Sequence, residues 1–468
     1  MPPKYTSVPS QSYESDDDFD PFLNDEFSDV DSLDNDLELL EMQRAEDPLH
    51  SALEMPDLHT STLQMAFMNM ANSILGAGAI GTPFAMKNCG VLGGALALIV
   101  LTLLVDYTLR LIVINLKLSG KETYQGTVEH CFGKRGKIVI ILTQALFAFG
   151  GSIGFCIIIG DTIPHILRSF FPSYKDSVFL SFIFSRNFII LFVTLTISFP
   201  LSLSKDISKL AKASALALLS MVVIIVIVLV SGPRLPSEWK GSLRLSDYFI
   251  NARVFQGISV ISFALVCHHN TSFIFHSLKK PSLNRFAKVT HASCFVSMVA
   301  IALLGFGGFL IFKDKTKGNI LNNFPGNDPV VNIARFCFGF NMLTTYPLEI
   351  FVLRDVLRDL YYINRDSSPE LSPRAHLMFT SVLVGVTMGI SLTTCNLGAL
   401  FELIGATTAS IMAYILPPMC YLNMTHKTLP RRIVLYSIIG FGFATMIISS
   451  TQTIINAIHD DGSSHCAI

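Results

Sequence analysis

Charge is what this chain has least of. Only 15% of its 468 residues are charged and 51% are hydrophobic, whereas soluble domains carry roughly 25% charged residues. A water-soluble fold of this length would lack the polar surface to cover itself. The net charge of −1 offers nothing to a phosphate backbone, so no nucleic-acid partner is expected. Nine cysteines are scattered without a CxxC pair or the Cys/His spacing of a zinc site. Cys156, Cys267, Cys294, Cys337 and Cys420 fall inside apolar runs and read as small core residues. No P-loop, nucleophile–base constellation or metal motif is found, which argues against an enzyme and against any bound cofactor. The N-terminus is acidic and polar rather than basic and then apolar. Membrane insertion is therefore expected to begin at the first spanning helix.

What the chain has instead is hydrophobic runs. A helix needs roughly 20 apolar residues to cross the hydrocarbon core. Eleven stretches qualify: about 62–86, 91–116, 138–167, 186–203, 211–231, 252–276, 287–312, 330–352, 375–393, 398–420 and 432–455. Basic residues set the orientation. Lys117, Lys121, Lys134, Arg135 and Lys137 fall in one loop, Lys279, Lys280, Arg285 and Lys288 in another, and Arg354, Arg358, Arg365 and Arg374 in a third. These place the N-terminus in the cytosol and the C-terminus outside. Residues 59–455 are expected to form an eleven-helix domain, and 456–468 a short lumenal tail. Two glycosylation patterns, at Asn270 and Asn423, fall in the membrane and in the cytosol, so neither is expected to be used. Thr123 to Phe132 forms either a short interfacial helix or a plain loop.

Residues 1–58 are rich in Asp, Glu, Ser and Pro and have little to bury, so a disordered cytosolic tail is expected. The run Asp36-Leu37-Glu38-Leu39-Leu40 is similar to an acidic dileucine sorting signal, one residue short in its spacing. A helical turn with no receptor fits it equally well. A cytosolic sorting or signalling partner of the tail stays open.

Two of the hydrophobic runs are interrupted. The first contains Asn72-Ser73-Ile74-Leu75-Gly76-Ala77-Gly78-Ala79-Ile80-Gly81-Thr82-Pro83. Glycines and a proline so close together break a helix, and the polar Asn69, Asn72 and Ser73 beside them are not needed for packing. The competing reading is glycine-mediated close approach of two helices. The sixth run holds Cys267-His268-His269-Asn270-Thr271-Ser272, and polar groups in mid-membrane mark functional sites. Histidine also titrates near neutral pH, so either His268 or His269 could handle protons, or one could cap freed carbonyls. Breaks in the first and sixth helices point to an inverted repeat with a substrate site at the midplane. Freed N–H groups suit a carboxylate and freed carbonyls an ammonium. A free amino acid is the natural zwitterionic substrate.

At these residues, over about 60–455, the sequence resembles the amino acid/auxin permease family of the amino acid–polyamine–organocation superfamily. Supporting matches are Gly154 to Pro164, Tyr346 to Phe351, and Phe401 to Thr407. The sixth-helix string is most like fungal vacuolar amino acid transporters and sodium-coupled neutral amino acid transporters. The resemblance implies an all-α membrane protein of LeuT type, with helices 1–5 and 6–10 as inverted repeats plus an eleventh helix. It implies substrate contacts at Ser73, Gly76, Ala77 and Gly78, faced by Cys267, His268 and Asn270. Coupling would involve Asn72, His268, His269, Thr344 and Thr345, with Asn72 and Thr345 as metal ligands only if sodium is the coupling ion. The expected function is secondary active amino-acid transport by alternating access. Proton-coupled export of neutral or small amino acids from a vacuole or lysosome is favoured. The alternatives are an amino-acid-sensing receptor signalling through its tail and sodium-coupled uptake at the plasma membrane.

The remaining intramembrane charges have structural readings first. Asp106 and Arg110 sit i, i+4 and should pair. Asp161 lies at a helix end or in an outer gate, and Glu349 and Glu402 are expected to be structural, with proton relay as the alternative.

Overall fold

Hydrophobic runs separated by short loops can only stack as helices, because each helix satisfies its own backbone in lipid. The computed structural model describes residues 61–204, 214–364, 371–425 and 428–459, and these are helical almost throughout. The expected tail of residues 1–58 lies outside the described residues, as do 460–468 of the lumenal tail.

Eleven spans follow one another among the described residues. The first, α1, is in pieces: α1a (Leu63–Ile74), a 3-10 turn (Ala77–Gly81) and α1b (Thr82–Cys89). Next come α2 (Val91–Ser119) and α3 (Tyr124–Phe170), then the shorter α4 (Arg186–Ser202) and α5 (Ser214–Ser231). The sixth span is also divided, into α6a (Val254–Leu265), a 3-10 turn (His268–Asn270) and α6b (Thr271–Ser277). The chain continues through α7 (Leu283–Phe312), α8 (Pro329–Tyr361) and α9 (Pro373–Thr393). It ends with α10 (Leu397–Met424) and α11 (Leu429–His459). No strand occurs among the described residues beyond a single bridge between Ser61 and Leu278.

Two boundaries differ from the hydropathy reading for physical reasons. The segment 124–132 is helical and joins α3 at a kink where Gly133 takes φ +62°. A left-handed residue turns the chain sharply and favours glycine. At the other end α11 runs on to His459, so the start of the expected lumenal tail is helix.

The loops carrying the basic clusters mark the inner side, and side-chain ties hold each end of the bundle. On the inner side Asn115 of α2 donates to the Pro417 carbonyl of α10 at 2.9 Å, and the Tyr124 hydroxyl donates to the Met412 carbonyl at 3.0 Å. On the outer side Arg186 meets Asp161 at 3.3 Å and donates to the carbonyls of Ser391 and Thr394. Asp106 and Arg110 pair at 3.0 Å as their spacing predicts, and His291 of α7 joins the same carboxylate at 3.0 Å.

α10 carries two successive π turns, Gly405–Ala409 and Ile411–Ile415. Gly405 lets α10 lie directly on α6a: a Cβ there would stand 1.8 Å from the Ser259 carbonyl oxygen. Gly385 of α9 has nothing within 4 Å of the same position. Gly405→Ala should therefore cost about 3 kcal/mol or more, the upper end for an overpacked core. Gly385→Ala should be neutral or stabilise by roughly 0.5–1 kcal/mol. Melting temperatures of the two detergent-solubilised variants provide the check, and equal values would show that the α10–α6a contact is not tight.

Candidate functional site

The two interruptions are real breaks in backbone geometry. Gly76 takes ψ −147°, away from helix, and Val266 is extended with φ −78° and ψ 116°. Each break ends one half-helix and starts another, so the first N–H groups of the Ala77–Gly81 turn have no partner within it.

The breaks face each other, and one hydrogen bond joins them. Asn270 Nδ2, at the end of the α6 turn, donates to Ser73 Oγ at 3.0 Å. Polar groups at both breaks thus converge on one place rather than serving their own helices. Around them Asn72, Ser73, Gly76, His269 and Asn270 are only partly buried.

The glycines of the first break divide the two readings between them. A Cβ on Gly76 would meet nothing closer than the Asn72 and Ser73 carbonyl oxygens at 3.9 Å, so this position faces open space. A Cβ on Gly78 would fall 2.6 Å from Ala264 Cα. Gly78 is therefore the close-packing glycine that seats the first break on α6a, and it lies buried beside Ala77. Gly76 has room for a ligand atom where Gly78 has none.

The histidines also separate. His268 is fully buried, with Nε2 2.9 Å from the Thr108 hydroxyl of α2. Cys267 beside it is equally buried. His269 is partly buried and its ring lies 5.0 Å from that of Phe147. Its Nδ1 has no hydrogen-bond partner among the described residues. His269, not His268, is the histidine beside the partly open break.

On the outer side the site is shut. Phe147 packs tilted against Phe263 at 5.5 Å and Phe263 stacks on Phe401 at 4.5 Å, a column drawn from α3, α6a and α10. A Cβ on Gly81 would be 3.0 Å from Phe401, and one on Gly398 would be 2.8 Å from Phe84. The loop at Gly318 presses on Gly398 from outside, at 2.6 Å by the same measure. Ile80, Thr82, Pro83, Leu397 and Phe401 are buried in this plug. The site residues on the inner side of it keep partial exposure, so the plug closes the outer side only.

Thr344 and Thr345 of α8 are also partly buried. The Thr345 hydroxyl donates within its own helix, 2.8 Å from the Asn341 carbonyl and 3.1 Å from Asn341 Oδ1. Thr344 donates to the same carbonyl at 2.9 Å. Asn341 thus belongs with the pair, and its i, i+4 spacing to Thr345 was the sequence signal for it. Thr108, Phe147 and the bond between Ser262 and Tyr414 (3.0 Å) carried no such signal, since only the fold brings them to the breaks.

Known proteins show the family. The family model described as transmembrane amino acid transporter protein matches residues 59–455. Vacuolar amino acid transporter 2 of Saccharomyces cerevisiae is 58% identical over 416 residues, covering 87% of this chain and 86% of that one. A Danio rerio protein provisionally named sodium-coupled neutral amino acid transporter 11 is 33% identical, covering 87% and 89%. A solved sodium-coupled sialic acid symporter aligns with TM-score 0.48 at 13% identity, covering 87% of this chain and 91% of that one. That likeness is too slight to bear on substrate or ion. Over the whole of its helical domain, the chain belongs to the transmembrane amino acid transporter family, and it is a multi-pass membrane transporter rather than an enzyme.

Proposed function

We propose that this chain exports neutral or small amino acids from an acidic organelle, the vacuole or its equivalent, to the cytosol by proton-coupled alternating access. The observation that carries the reading is the Asn270–Ser73 bond, which brings two broken helices together at one partly open place. Freed N–H groups of the Ala77–Gly81 turn supply the positive end of a half-helix for the carboxylate. Gly76 leaves the space it needs. Ser73 and Asn270 contribute a hydroxyl and an amide at the same point, and carbonyls released at the α6 break suit the ammonium group.

The organelle assignment draws on the name and 58% identity of the yeast relative. An acidic lumen would then drive solute outward to the cytosol if protons are the coupling ion. His269 is the side chain we assign to that role, and its partial burial and a ring nitrogen unengaged among the described residues support the reading. Sodium coupling is the second reading. It draws on the Danio rerio relative's name and on the Asn72, Thr344 and Thr345 oxygens.

The test is amino-acid flux in proteoliposomes with proton and sodium gradients imposed separately. Flux driven from the acidic side without sodium is expected, and His269→Ala should lower it at least ten-fold. An absolute sodium requirement would overturn the proton reading. Gly76→Leu should abolish flux, because the added side chain enters the carboxylate position. The folded yield should stay near normal, since a Cβ there meets open space. Normal uptake by Gly76→Leu would remove the break from the substrate site altogether.

A further inference from the structure

One buried carboxylate lies outside the site described so far and joins three spans. Glu402, on the first turns of α10, is 5% exposed. Asn88 Nδ2, on the last turn of α1b, donates to its Oε1 at 2.9 Å. The Thr453 hydroxyl of α11 donates to its Oε2 at 3.1 Å. Asn88 and Thr453 are 3% and 5% exposed, so little water reaches the cluster. The end of α1b is also held from α6a's approach, where the Asn251 N–H donates to the Cys89 carbonyl at 3.0 Å and its Nδ2 to the Lys87 carbonyl at 3.1 Å.

Among the described residues no cation neutralises Glu402 by contact. None of the described ion pairs includes it. Lys87, beside Asn88, sends its ammonium to the Thr316 carbonyl at 3.1 Å instead. Cys89, the other titratable group on α1b, points at the Val254 carbonyl at 3.6 Å. Arg253, before α6a, is exposed and acts on Glu402 only through space. Asp161 of α3 is paired with Arg186 and accepts from Asn322. Two neutral donors alone therefore face a carboxylate in a membrane interior, where an unpaired charge is costly.

The cluster sits on the outer plug. Phe401, the residue before Glu402, forms the aromatic column with Phe263, and α1b is the half-helix that the plug closes on. We propose that Glu402 is a proton-binding latch of the outer gate: closing α1b against α10 and α11 takes up one proton on this carboxylate from the outer compartment. In the open gate the carboxylate faces water and ionises. On closing, a proton from outer-side water binds Oε2, the new O–H donates to Thr453 Oγ1, and Asn88 keeps donating to Oε1. A threonine hydroxyl both donates and accepts, so the same partners serve both forms. Opening returns the proton to the outer side. The sign follows from linkage: the closed form binds more protons, so outer acid favours it. In an acidic organelle that biases the carrier toward facing the cytosol. This use rests on the alternating-access reading, though the proton site does not depend on which ion drives transport. It also gives α11, outside the paired repeats, a place in the gate.

Infrared difference spectroscopy of the reconstituted protein reads the site without any transported solute. Wild type minus Glu402→Gln should show a protonated carboxyl stretch that fades as the medium is made alkaline. Thr453→Val, a milder change, should move that titration to higher pH, because the ionised form loses a charge-assisted hydrogen bond. In flux assays, the part of the dependence on outer pH that Glu402 adds should reach at most about ten-fold per pH unit, the slope of one proton. Glu402→Gln should lose that part and keep only the shallower dependence of the driving proton. A carboxylate at Glu402 that stays ionised from cytosolic to lumenal pH would overturn the proposal. So would a Glu402→Gln variant that keeps the wild-type dependence of flux on outer pH. A protein with no flux but a titrating Glu402 band would refute the transport reading while leaving the proton site standing.

Discussion

Backbone amides and carbonyls have no water to turn to inside a bilayer, and each one left unpaired costs several kcal/mol. Everything particular about this protein follows from the two places where it breaks that constraint. Spans such as α2, α3, α7 and α8 are long apolar helices that satisfy themselves. The first and sixth do not, and their unsatisfied ends must be paired with each other, with a neighbouring side chain or with a solute. Asn270 and Ser73 tie the two breaks together side chain to side chain, Thr108 fixes His268, and the open space at Gly76 is where we propose that a zwitterion binds.

The same constraint explains how the outer half is closed. Gly78, Gly81, Gly398 and Gly405 allow backbones to meet where any side chain would hold them apart. Phe147, Phe263 and Phe401 then fill the volume between α3, α6a and α10. Polar ties beside this plug include Asp161–Arg186 and the Glu402 cluster, which on our proposal meets outer water once the gate moves. A dry aromatic plug with a titratable rim is a way to make gate position depend on the solution outside it.

Much of this was legible in the sequence because hydropathy and glycine placement act locally. The eleven spans, both breaks and the Asp106–Arg110 pair can be read from spacing alone. The roles of Gly76 and Gly78 could not be told apart, since they differ only in what lies across from them: open space for one and Ala264 for the other. His268 and His269 were likewise equivalent as letters, and Thr108 on α2 decides between them. Glu402 reads as a structural carboxylate in an apolar run. Its partners Asn88 and Thr453 lie 314 and 51 residues away, a distance no local pattern spans. The kink at Gly133 was hidden because a plain loop and an interfacial helix share the same composition.

The central claim is that the paired breaks bind the charged ends of a free amino acid. The most direct measurement is the melting temperature of the purified transporter with neutral amino acids, compared with the same compounds amidated at the carboxylate or acetylated at the amine. Stabilisation by the free amino acid, lost on blocking either end, is the predicted result, because only binding to the folded form raises the melting temperature. Equal stabilisation by the blocked compounds would contradict the claim, since the breaks would then hold neither charged group.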